Sequence, residues 1–526
     1  MNTSNNSGHT VGIDVGSSGI RLLLLNTVGN KINDQIVTYQ ALENQNHHIW
    51  DEERRINLGN LTKTVENQLS LLIQGYPQIN VSSLSISGIG PSLVLLSKQA
   101  QPLIYALTYA YQGAQDYVNY LPTDFQKRTG SLHSGALPYV QLLKLKYDDV
   151  DDILKSCFKI TTINDYLTWN MTDLQLKDIF SSIPNASYTG LYSLETRDWD
   201  KKLLHNMELS SSILPKIVPL GTVFPLKNTL KQLSNVFKNT CVIAGAIDGI
   251  DAFWATGVES EDIIVGSASS TGALRRLRKT PKTNYNSRLI QCCQIKEGMW
   301  VELIPFNNVG TSFNWLANNF NLLFQNYVTR EKRLKIGRLE REATSKLEDE
   351  VEGLKSFFLK LPLYFPYIEG EPRGPNGRGR VKGGFIFQKG YGHDCIDLYL
   401  SLLIGIVNMY QHNLEVLDPP DTIQEIRITG LIAQKSRLFL RLLASLTNKN
   451  IVIMKTDQSI AWATGMRALT YVNIIDRIPK VSVQDPILPE NREIQKCLRF
   501  LYKRYMEVYN APFNYQIIYS EKEIDQ

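Results

Sequence analysis

Two strand-turn-strand patterns rich in serine and glycine constrain the fold of this 526-residue chain more than any other feature. The first is VGIDVGSSGIRLLLLN (residues 11–26), and the second is DIIVGSASSTGALRRL (residues 262–277). In each, two apolar runs flank a turn of small polar residues, which predicts a β-hairpin. Gly19 and Gly272, which align, are 253 residues apart, close to half the chain. This spacing favours two similar lobes, each of which begins with one hairpin.

The composition of the two turns suits phosphate. Small residues let main-chain N–H groups approach a phosphate closely, and the hydroxyls of Ser and Thr add donors. Asp14, just before the first turn, can hold Mg²⁺ through water, and Arg21 can supply positive charge. A plain β-turn uses the same residue types, so one hairpin alone favours a plain turn. Two hairpins in matched positions favour a phosphate site.

Asp248 is a candidate catalytic carboxylate. A strand predicted from Val242 to Ala246 leads to it, and the small residues around it leave room for a cleft. A carboxylate in that position suits a general base for a substrate hydroxyl. The alternative is that Asp248 caps a helix predicted from Ile250 to Thr256. Asp251 competes for that capping role, which favours the catalytic interpretation of Asp248.

The rest of the chain alternates strands with helices, which predicts α/β lobes. The chain is too long for one core, and we predict a division into residues 1–250 and 251–526. Because no linker is rich in Pro or Ser, the lobes should pack closely around a cleft. Further predicted elements are helices at Asn60 to Ile73, Ser436 to Thr447 and Ile460 to Val472, a strand at Glu425 to Thr429, a charged helical segment at Thr329 to Leu359 and a glycine-rich basic loop at 369–384.

Composition excludes several classes of partner. The net charge of +5 is too small to indicate nucleic acid. None of the six cysteines forms a C-x-x-C pair, which favours reduced thiols. The first ten residues lack an apolar signal core, and the longest apolar stretch, near Leu398 to Val407, is too short to span a bilayer. We therefore expect a cytoplasmic protein that binds neither nucleic acid nor a membrane, and a homodimer is left open.

Taken in order, these motifs resemble those of the FGGY family of carbohydrate kinases, from about Gly12 to Val472. GIDVGSSGIR and SSTGALR are similar to the family's two phosphate hairpins, and GAIDGIDA is similar to the segment that carries its catalytic Asp. NASYTGLYSLETRDWD and FNNVGTSFNWL are similar to two further segments. The resemblance implies two actin/ribonuclease-H-like lobes around a central cleft. It also implies an ATP-dependent kinase that uses Mg²⁺. The GALR ending and the Asp-Gly pair favour a gluconokinase-like member that acts on a sugar or sugar acid.

The resemblance also implies roles for individual residues. Asp248 would be the catalytic base, and Asp14 would orient the metal. The residues assigned to phosphate or ATP are Gly16, Ser17, Ser18, Arg21, Ser270, Thr271, Gly272, Gly310, Thr311, Gly430 and Ala433. Those assigned to the acceptor substrate are Ser92, Tyr109, Tyr111, Gln112 and Asp248.

Two motifs depart from the family pattern. Where many members have W-x-D-x-R to hold sugar hydroxyls, this chain has YAYQG at 109–113. The family's Gly-Gly-Gly turn aligns with Gly430, Leu431 and Ile432, and Trp462 stands at a family glycine, where it either stacks on adenine or fills the pocket. These losses leave open a degenerate kinase that binds a sugar or nucleotide and regulates without phosphotransfer. The intact hairpins, Asp14 and Asp248 favour the enzyme.

Overall fold

A computed structural model describes residues 8–148, 151–281, 290–323, 336–349, 354–368, 383–387, 391–417, 422–454, 460–479 and 483–510. Its strands are β1 His9–Val15, β2 Gly19–Asn26, β3 Lys31–Thr38, β4 Val81–Gly88, β5 Ser92–Leu96, β6 Leu107–Thr108, β7 Lys159–Thr161, β8 Phe180–Ser182, β9 Lys216–Val218, β10 Val223–Pro225, β11 Cys241–Ile243, β12 Ile263–Ala268, β13 Gly272–Arg278, β14 Gln291–Lys296, β15 Met299–Phe306, β16 Leu363–Phe365, β17 Gly384–Ile386, β18 Glu425–Thr429 and β19 Asn450–Ile453.

The α-helices of the same residues are α1 Tyr39–Glu43, α2 Leu58–Ile73, α3 Phe125–Thr129, α4 Pro138–Tyr147, α5 Asp151–Ser156, α6 Ile163–Asn170, α7 Ile183–Ser187, α8 Lys201–Asn206, α9 Asn228–Leu233, α10 Asp248–Trp254, α11 Gly310–Leu323, α12 Ile336–Asp349, α13 Leu354–Lys360, α14 Cys395–Leu417, α15 Leu431–Lys435, α16 Arg437–Thr447, α17 Ile460–Tyr471 and α18 Arg492–Asn510. Short 3₁₀ turns lie at Gln115–Tyr120, Leu176–Asp178, Ser211–Ile213 and Asn235–Phe237.

The N-terminal sheet has the strand order β10-β11-β4-β1-β2-β3. β1 pairs antiparallel with β2 and parallel with β4, so the first hairpin lies at the centre of the sheet. Val11, Ile13 and Val15 on β1 are fully buried, as expected for a central strand that is covered on both faces. The ends of β1 and β4 therefore reach the same edge, where Asp14 lies.

The C-terminal sheet, with the order β14-β15-β13-β12-β18-β19, repeats this arrangement. β12 pairs antiparallel with β13 and parallel with β18, as β1 does with β2 and β4. The second hairpin therefore occupies in its sheet the place that the first hairpin has in the other. Each half is an α/β lobe, which confirms the two actin/ribonuclease-H-like lobes that the family resemblance implied.

Helix α17 crosses from the C-terminal half of the chain onto the N-terminal sheet. Its main chain passes so close to β1 that a β-carbon on Gly12 would lie 1.9 Å from the carbonyl oxygen of Ala461. Trp462 packs with Leu23 and Leu25 of β2, so it fills the space beneath this sheet. The division of the chain at residue 250 stays a prediction.

Several predicted elements differ from the structure in length. The strand before Asp248 is short, Cys241–Ile243, because the glycine and alanine residues that follow it lie outside the sheet. Within 329–359, the described residues form two helices, α12 and α13. Residues 369–382 of the predicted basic loop lie outside the described residues. Among the described helices, none combines the length and apolar character that crossing a bilayer requires.

Candidate active site

The first hairpin has a tight turn with two exposed hydroxyls. The amide of Gly16 donates to the carbonyl of Gly19 at 3.0 Å, which closes the turn. The hydroxyl of Tyr39 donates to the carbonyl of Gly16 at 2.9 Å and fixes it from behind. Ser17 and Ser18 at the tip are exposed, so their side chains are available to a ligand. The turn thus has the donors that the sequence predicted for a phosphate.

The second hairpin is built in the same way and is braced by two neighbouring segments. The amide of Ser269 donates to the carbonyl of Thr271 at 3.0 Å, and the amide of Gly310 donates to Ser269 at 2.7 Å. Ser270 and Thr271 are exposed. Gly430 has φ 106°, and a β-carbon there would lie 2.4 Å from the carbonyl oxygen of Ala268. The structure therefore brings the predicted ATP residues of three distant segments together at one turn.

Thr311 follows Gly310 in the first turn of α11 and carries an unsatisfied hydroxyl. Its Oγ1 is buried and has no hydrogen-bond partner among the described residues. An unpaired buried hydroxyl costs about 1–3 kcal/mol, a cost that a ligand oxygen would relieve. Ala433, by contrast, is 1% exposed in the core of the C-terminal lobe, so its methyl group does not face a ligand. Its assignment to ATP stays a prediction that its burial does not support.

Asp14 is a carboxylate in an unfavourable setting. Burial and the charges of Asp248 and Asp251 raise the pKa of Asp14 to about 7. The positive charge of Arg21 lowers it and offsets this rise only in part. Arg21 is its register partner on β2 and is itself exposed. The Oδ1 atom of Asp14 is buried without a hydrogen-bond partner among the described residues. A cation at this atom would offset both the cost of burying the charged carboxylate and its repulsion by Asp248 and Asp251.

Asp248 is the first residue of α10, with Ile247 at the N-cap. Its Oδ1 accepts from the Gly249 amide at 2.7 Å, and burial raises its pKa to about 6. The expectation that Asp251 competes to cap this helix is wrong, because no side chain caps it. Asp251 instead forms a buried ion pair with Arg467 and accepts from Thr464 at 3.0 Å. Asp251 therefore has a structural role. The carboxylate of Asp248 is the one of the two that can still accept hydrogen bonds from a substrate.

The residues predicted to bind the acceptor substrate differ in where they lie and in how free their side chains are. The hydroxyl of Tyr109 interacts with the side chain of Ser17, and its pKa is raised mainly by burial, so Tyr109 lies at the first hairpin. The ring of Tyr111 packs against the core, and Gln112 is exposed on a turn. The hydroxyl of Ser92 is already engaged, since it donates to Ile89 O at 3.2 Å and accepts from the Ile163 amide at 3.0 Å. A sugar contact at Ser92 stays a prediction, and the hydroxyl has only one acceptor lone pair left for it.

Two residues near Asp248 were missed from the sequence. Asn164 is fully buried, and neither its amide oxygen nor its amide nitrogen has a hydrogen-bond partner among the described residues. It contacts Gly88, whose strand end bridges to Ile247, the residue before Asp248. Arg275 lies on β13 with its Nε unpaired, and its charge lowers the pKa of Asp248. The one sequence signal for Arg275 was its place as the last residue of the SSTGALR motif.

A magnesium ion fits this site only in a particular way. Among the described residues, no group of three or more His, Cys, Asp or Glu side chains could hold a metal alone. Mg²⁺ commonly keeps several waters and takes one or two carboxylates together with substrate phosphates. The unpaired Oδ1 of Asp14 beside the phosphate hairpin matches that pattern. The donor set therefore fits Mg²⁺ that arrives with a nucleotide.

Comparison with known proteins agrees with this geometry. Residues 9–254 match the model of the FGGY family of carbohydrate kinases, N-terminal domain. Over these residues the chain belongs to the FGGY family. A xylulose kinase of Staphylococcus xylosus is 22% identical to this chain over 485 residues, 88% of this chain and 90% of that one.

Solved structures of similar proteins extend the match over both lobes. Xylulose kinase from Lactobacillus acidophilus superposes with a TM-score of 0.82 at 21% identity, over 96% of this chain and 98% of that one. Gluconate kinase from the same organism gives a TM-score of 0.81 at 20% identity, over 95% and 97%. At these identities the likeness establishes the two-lobed fold of this chain, and it does not distinguish between acceptors.

Proposed function

We propose that this carbohydrate kinase transfers the γ-phosphate of ATP to a hydroxyl of a sugar or sugar acid, with a gluconate-like compound as the first acceptor to test. The observation that carries the proposal is that Asp14, beside the first hydroxyl-rich hairpin, lies close enough to Asp248 for the charge of Asp248 to raise its pKa. Burial and the charges of Asp248 and Asp251 raise the pKa of Asp14 to about 7, and burial raises that of Asp248 to about 6. The similarity to a gluconate kinase supports a sugar acid, and the similarity to xylulose kinases supports a ketose.

In this reaction Asp248 acts as general base. Its carboxylate takes the proton of the acceptor hydroxyl while that oxygen bonds to the γ-phosphorus. The bond from the γ-phosphorus to the bridging oxygen breaks, and ADP leaves with that electron pair. A general base works best when its pKa lies near the working pH. The pKa of Asp248, about 6, leaves it ionised at neutral pH.

The two hairpins supply the electrostatic part of catalysis. Main-chain N–H groups and the hydroxyls of Ser17, Ser18, Ser270 and Thr271 would donate to the phosphate oxygens, where charge is spread in the transition state. The unpaired hydroxyl of Thr311 would donate to the same group. Asp14 would hold the metal through its Oδ1, and Mg²⁺, when bound, neutralises charge on the phosphates.

The decisive experiment measures ADP release from Mg-ATP with a panel of aldonates, pentuloses and polyols. We expect one acceptor class to stimulate release in the wild-type protein and Asp248→Asn to abolish that stimulation. Asp262→Asn, at an exposed aspartate outside the site, is the control for loss of a carboxylate. If no acceptor stimulates release and ATP leaves the melting temperature unchanged, the proposed function is wrong.

A second candidate is a degenerate kinase that binds ligands and regulates without phosphotransfer. It is favoured by Leu431, which is 53% exposed at the turn where the family has glycine, and by the YAYQG segment, which lacks the charged pair. An increase in melting temperature with ATP, together with no turnover on any acceptor, would support this candidate. Turnover that depends on Asp248 would exclude it.

A further inference from the structure

Arg275 is an arginine without an anionic partner beside the proposed base. It lies on β13, three residues after the second phosphate turn. Among the described residues, no carboxylate lies within 4.0 Å of its guanidinium group, and its Nε has no hydrogen-bond partner. Its one hydrogen bond to a side chain, from Nη1 to Ser267 Oγ, is long at 3.5 Å. A guanidinium has five donors, so most of its capacity is unused.

The two other arginines of the same strand show what a structural arginine looks like here. Arg276 donates to the carbonyl of Glu261 at 3.0 Å and to Thr422 Oγ1 at 2.9 Å. Arg278 pairs with the buried carboxylate of Glu302 at 2.7 Å. Because both neighbours are satisfied by the fold, the unpaired state of Arg275 is a property of its position and not of the strand.

The groups around the guanidinium of Arg275 leave an open space beside it and do not pair with it. A β-carbon on Gly249 would lie 3.8 Å from Arg275 Nη2 and 3.9 Å from the hydroxyl of Tyr188. Gly249 therefore leaves a small open space next to Asp248, bordered by a cation. Tyr188 does not neutralise that cation, because burial raises the pKa of its hydroxyl well above the usual value. The space has room and positive charge, and Asp248 borders it without forming an ion pair with Arg275.

The position of this space indicates which substrate would fill it. Gly249 and Tyr188 belong to the N-terminal segments around Asp248, and Asp248 is the group that must touch the acceptor hydroxyl. Arg275 is partly exposed, and its Nη2 lies on the side of Gly249. Burial lowers the pKa of Arg275, which means that an anion brought to it would relieve an existing cost. Arginine binds carboxylates through two parallel N–H···O bonds.

We propose that Arg275 binds the carboxylate of a sugar-acid acceptor and thereby selects aldonates over neutral sugars. The proposal rests on the kinase function with Asp248 as base and names the acceptor class of that site. Arg275 is then a specificity-determining residue. It fixes one end of the acceptor so that a hydroxyl further along the carbon chain meets Asp248.

The test compares two acceptors that differ only at C1, D-gluconate with a carboxylate and D-glucitol with a neutral hydroxymethyl group, using Arg275→Gln, Arg275→Lys and the wild type. We expect Arg275→Gln to lower kcat/KM for gluconate about 100-fold, since two charge-assisted hydrogen bonds are lost. kcat/KM for glucitol and KM for ATP should change less than about threefold. Arg275→Lys should recover part of the gluconate activity, because it keeps the charge but not the paired geometry.

The adjacent arginine provides the control. Arg276→Gln removes a positive charge from the same strand, and it should leave the ratio of gluconate to glucitol activity unchanged. Melting curves of all variants establish that they are folded. The proposal is overturned if Arg275→Gln lowers activity on both acceptors equally, or if it raises KM for ATP instead, which would assign Arg275 to the phosphate. It is also overturned if the wild type phosphorylates only neutral acceptors, a result that leaves the kinase function standing.

A binding measurement separates the two proposals if no acceptor is phosphorylated. In that event the kinase function fails, and titration calorimetry with gluconate alone tests the site. Gluconate binding by the wild type that is lost in Arg275→Gln supports the carboxylate site. Equal binding by both proteins, or none by the wild type, overturns it.

Discussion

The indole Nε1 of Trp462 donates to the carbonyl of Gly29 at 2.9 Å. This bond joins α17 to the β2–β3 turn, and it links residues 433 positions apart in the chain. Trp462 is 6% exposed and packs with Leu23, Leu25 and Met466. Of the two roles that the sequence left open for this residue, packing fits these contacts and stacking on adenine does not.

Replacement of Trp462 should therefore affect stability and not nucleotide binding. We expect Trp462→Phe to lower the free energy of unfolding by about 1–3 kcal/mol, through the lost hydrogen bond and the smaller ring. KM for ATP should change less than about twofold. Denaturant unfolding and initial-rate kinetics measure the two effects. A tenfold rise in KM for ATP with unchanged stability would instead assign the indole to adenine.

The fall of kcat/KM at acid pH should reflect the protonation of Asp248 and Asp14. Asp248 must be ionised to accept a proton and Asp14 must be ionised to hold a metal, and their pKa values are raised to about 6 and about 7. We expect kcat/KM to rise as the pH increases through this range and to level off above it. Asp248→Asn should lower kcat about 100- to 10,000-fold. A profile that is flat from pH 5 to 8 would contradict this assignment of the base.

Asp14 should make the ligand-free protein less stable as the pH rises. Its folded pKa of about 7 exceeds the ordinary value of 3.8, so the folded state binds the proton more tightly than the unfolded state. The free energy of unfolding should then fall between about pH 4 and pH 7. Asp14→Asn removes this loss, and at pH 8 we expect it to be more stable than the wild type by up to a few kcal/mol. Urea unfolding at pH 5 and pH 8 tests the sign, and a variant that is less stable at pH 8 would contradict it.

Thr311→Val should separate the function of a hydroxyl from its structural role. The valine has nearly the same shape and removes a buried hydroxyl that has no partner among the described residues, so the ligand-free protein should keep or gain stability. KM for ATP should rise about tenfold if the hydroxyl donates to a phosphate. Thr256→Val serves as the control, because that hydroxyl donates to Phe253 O at 2.6 Å within the fold. A loss of stability in Thr311→Val would show that the hydroxyl has a structural partner.

The fold was readable from the sequence because its signals are local. A hairpin turn is specified by residues next to one another, and the pairing of β1 with β2 and of β12 with β13 followed from those turns. The strand at 425–429 was also predicted, and its sequence alternates isoleucine with polar residues. Two similar hairpins then implied two similar sheets.

The state of individual side chains was not readable, because it depends on groups far away in the chain. Ser92 was assigned to the acceptor, but its hydroxyl is used by Ile89 and Ile163. Arg275 was quoted in a motif and given no role, since only the structure reveals that no carboxylate among the described residues pairs with it. Whether a polar side chain is satisfied is a property of three-dimensional packing, which a motif does not encode.

Gly430 is the position where the family's glycine turn is retained, and its replacement tests how the second hairpin is supported. Its φ of 106° favours glycine, and an added β-carbon would lie 2.4 Å from Ala268 O and 2.7 Å from Ser269 Oγ. We expect Gly430→Ala to displace the hairpin, to lower the free energy of unfolding by about 2 kcal/mol or more and to raise KM for ATP.

Gly298→Ala is the matched control for Gly430→Ala. Gly298 also has a positive φ, 66°, but a β-carbon there meets nothing within 4 Å. Its replacement should therefore cost only the backbone strain, about 1 kcal/mol, and leave KM for ATP unchanged. Because Gly430, at φ 106° and ψ 163°, lies in a region that is nearly restricted to glycine, the difference between the two variants combines a larger backbone strain with the steric contact at the second hairpin. Equal effects of the two variants on stability and on KM for ATP would contradict a supporting role for Gly430.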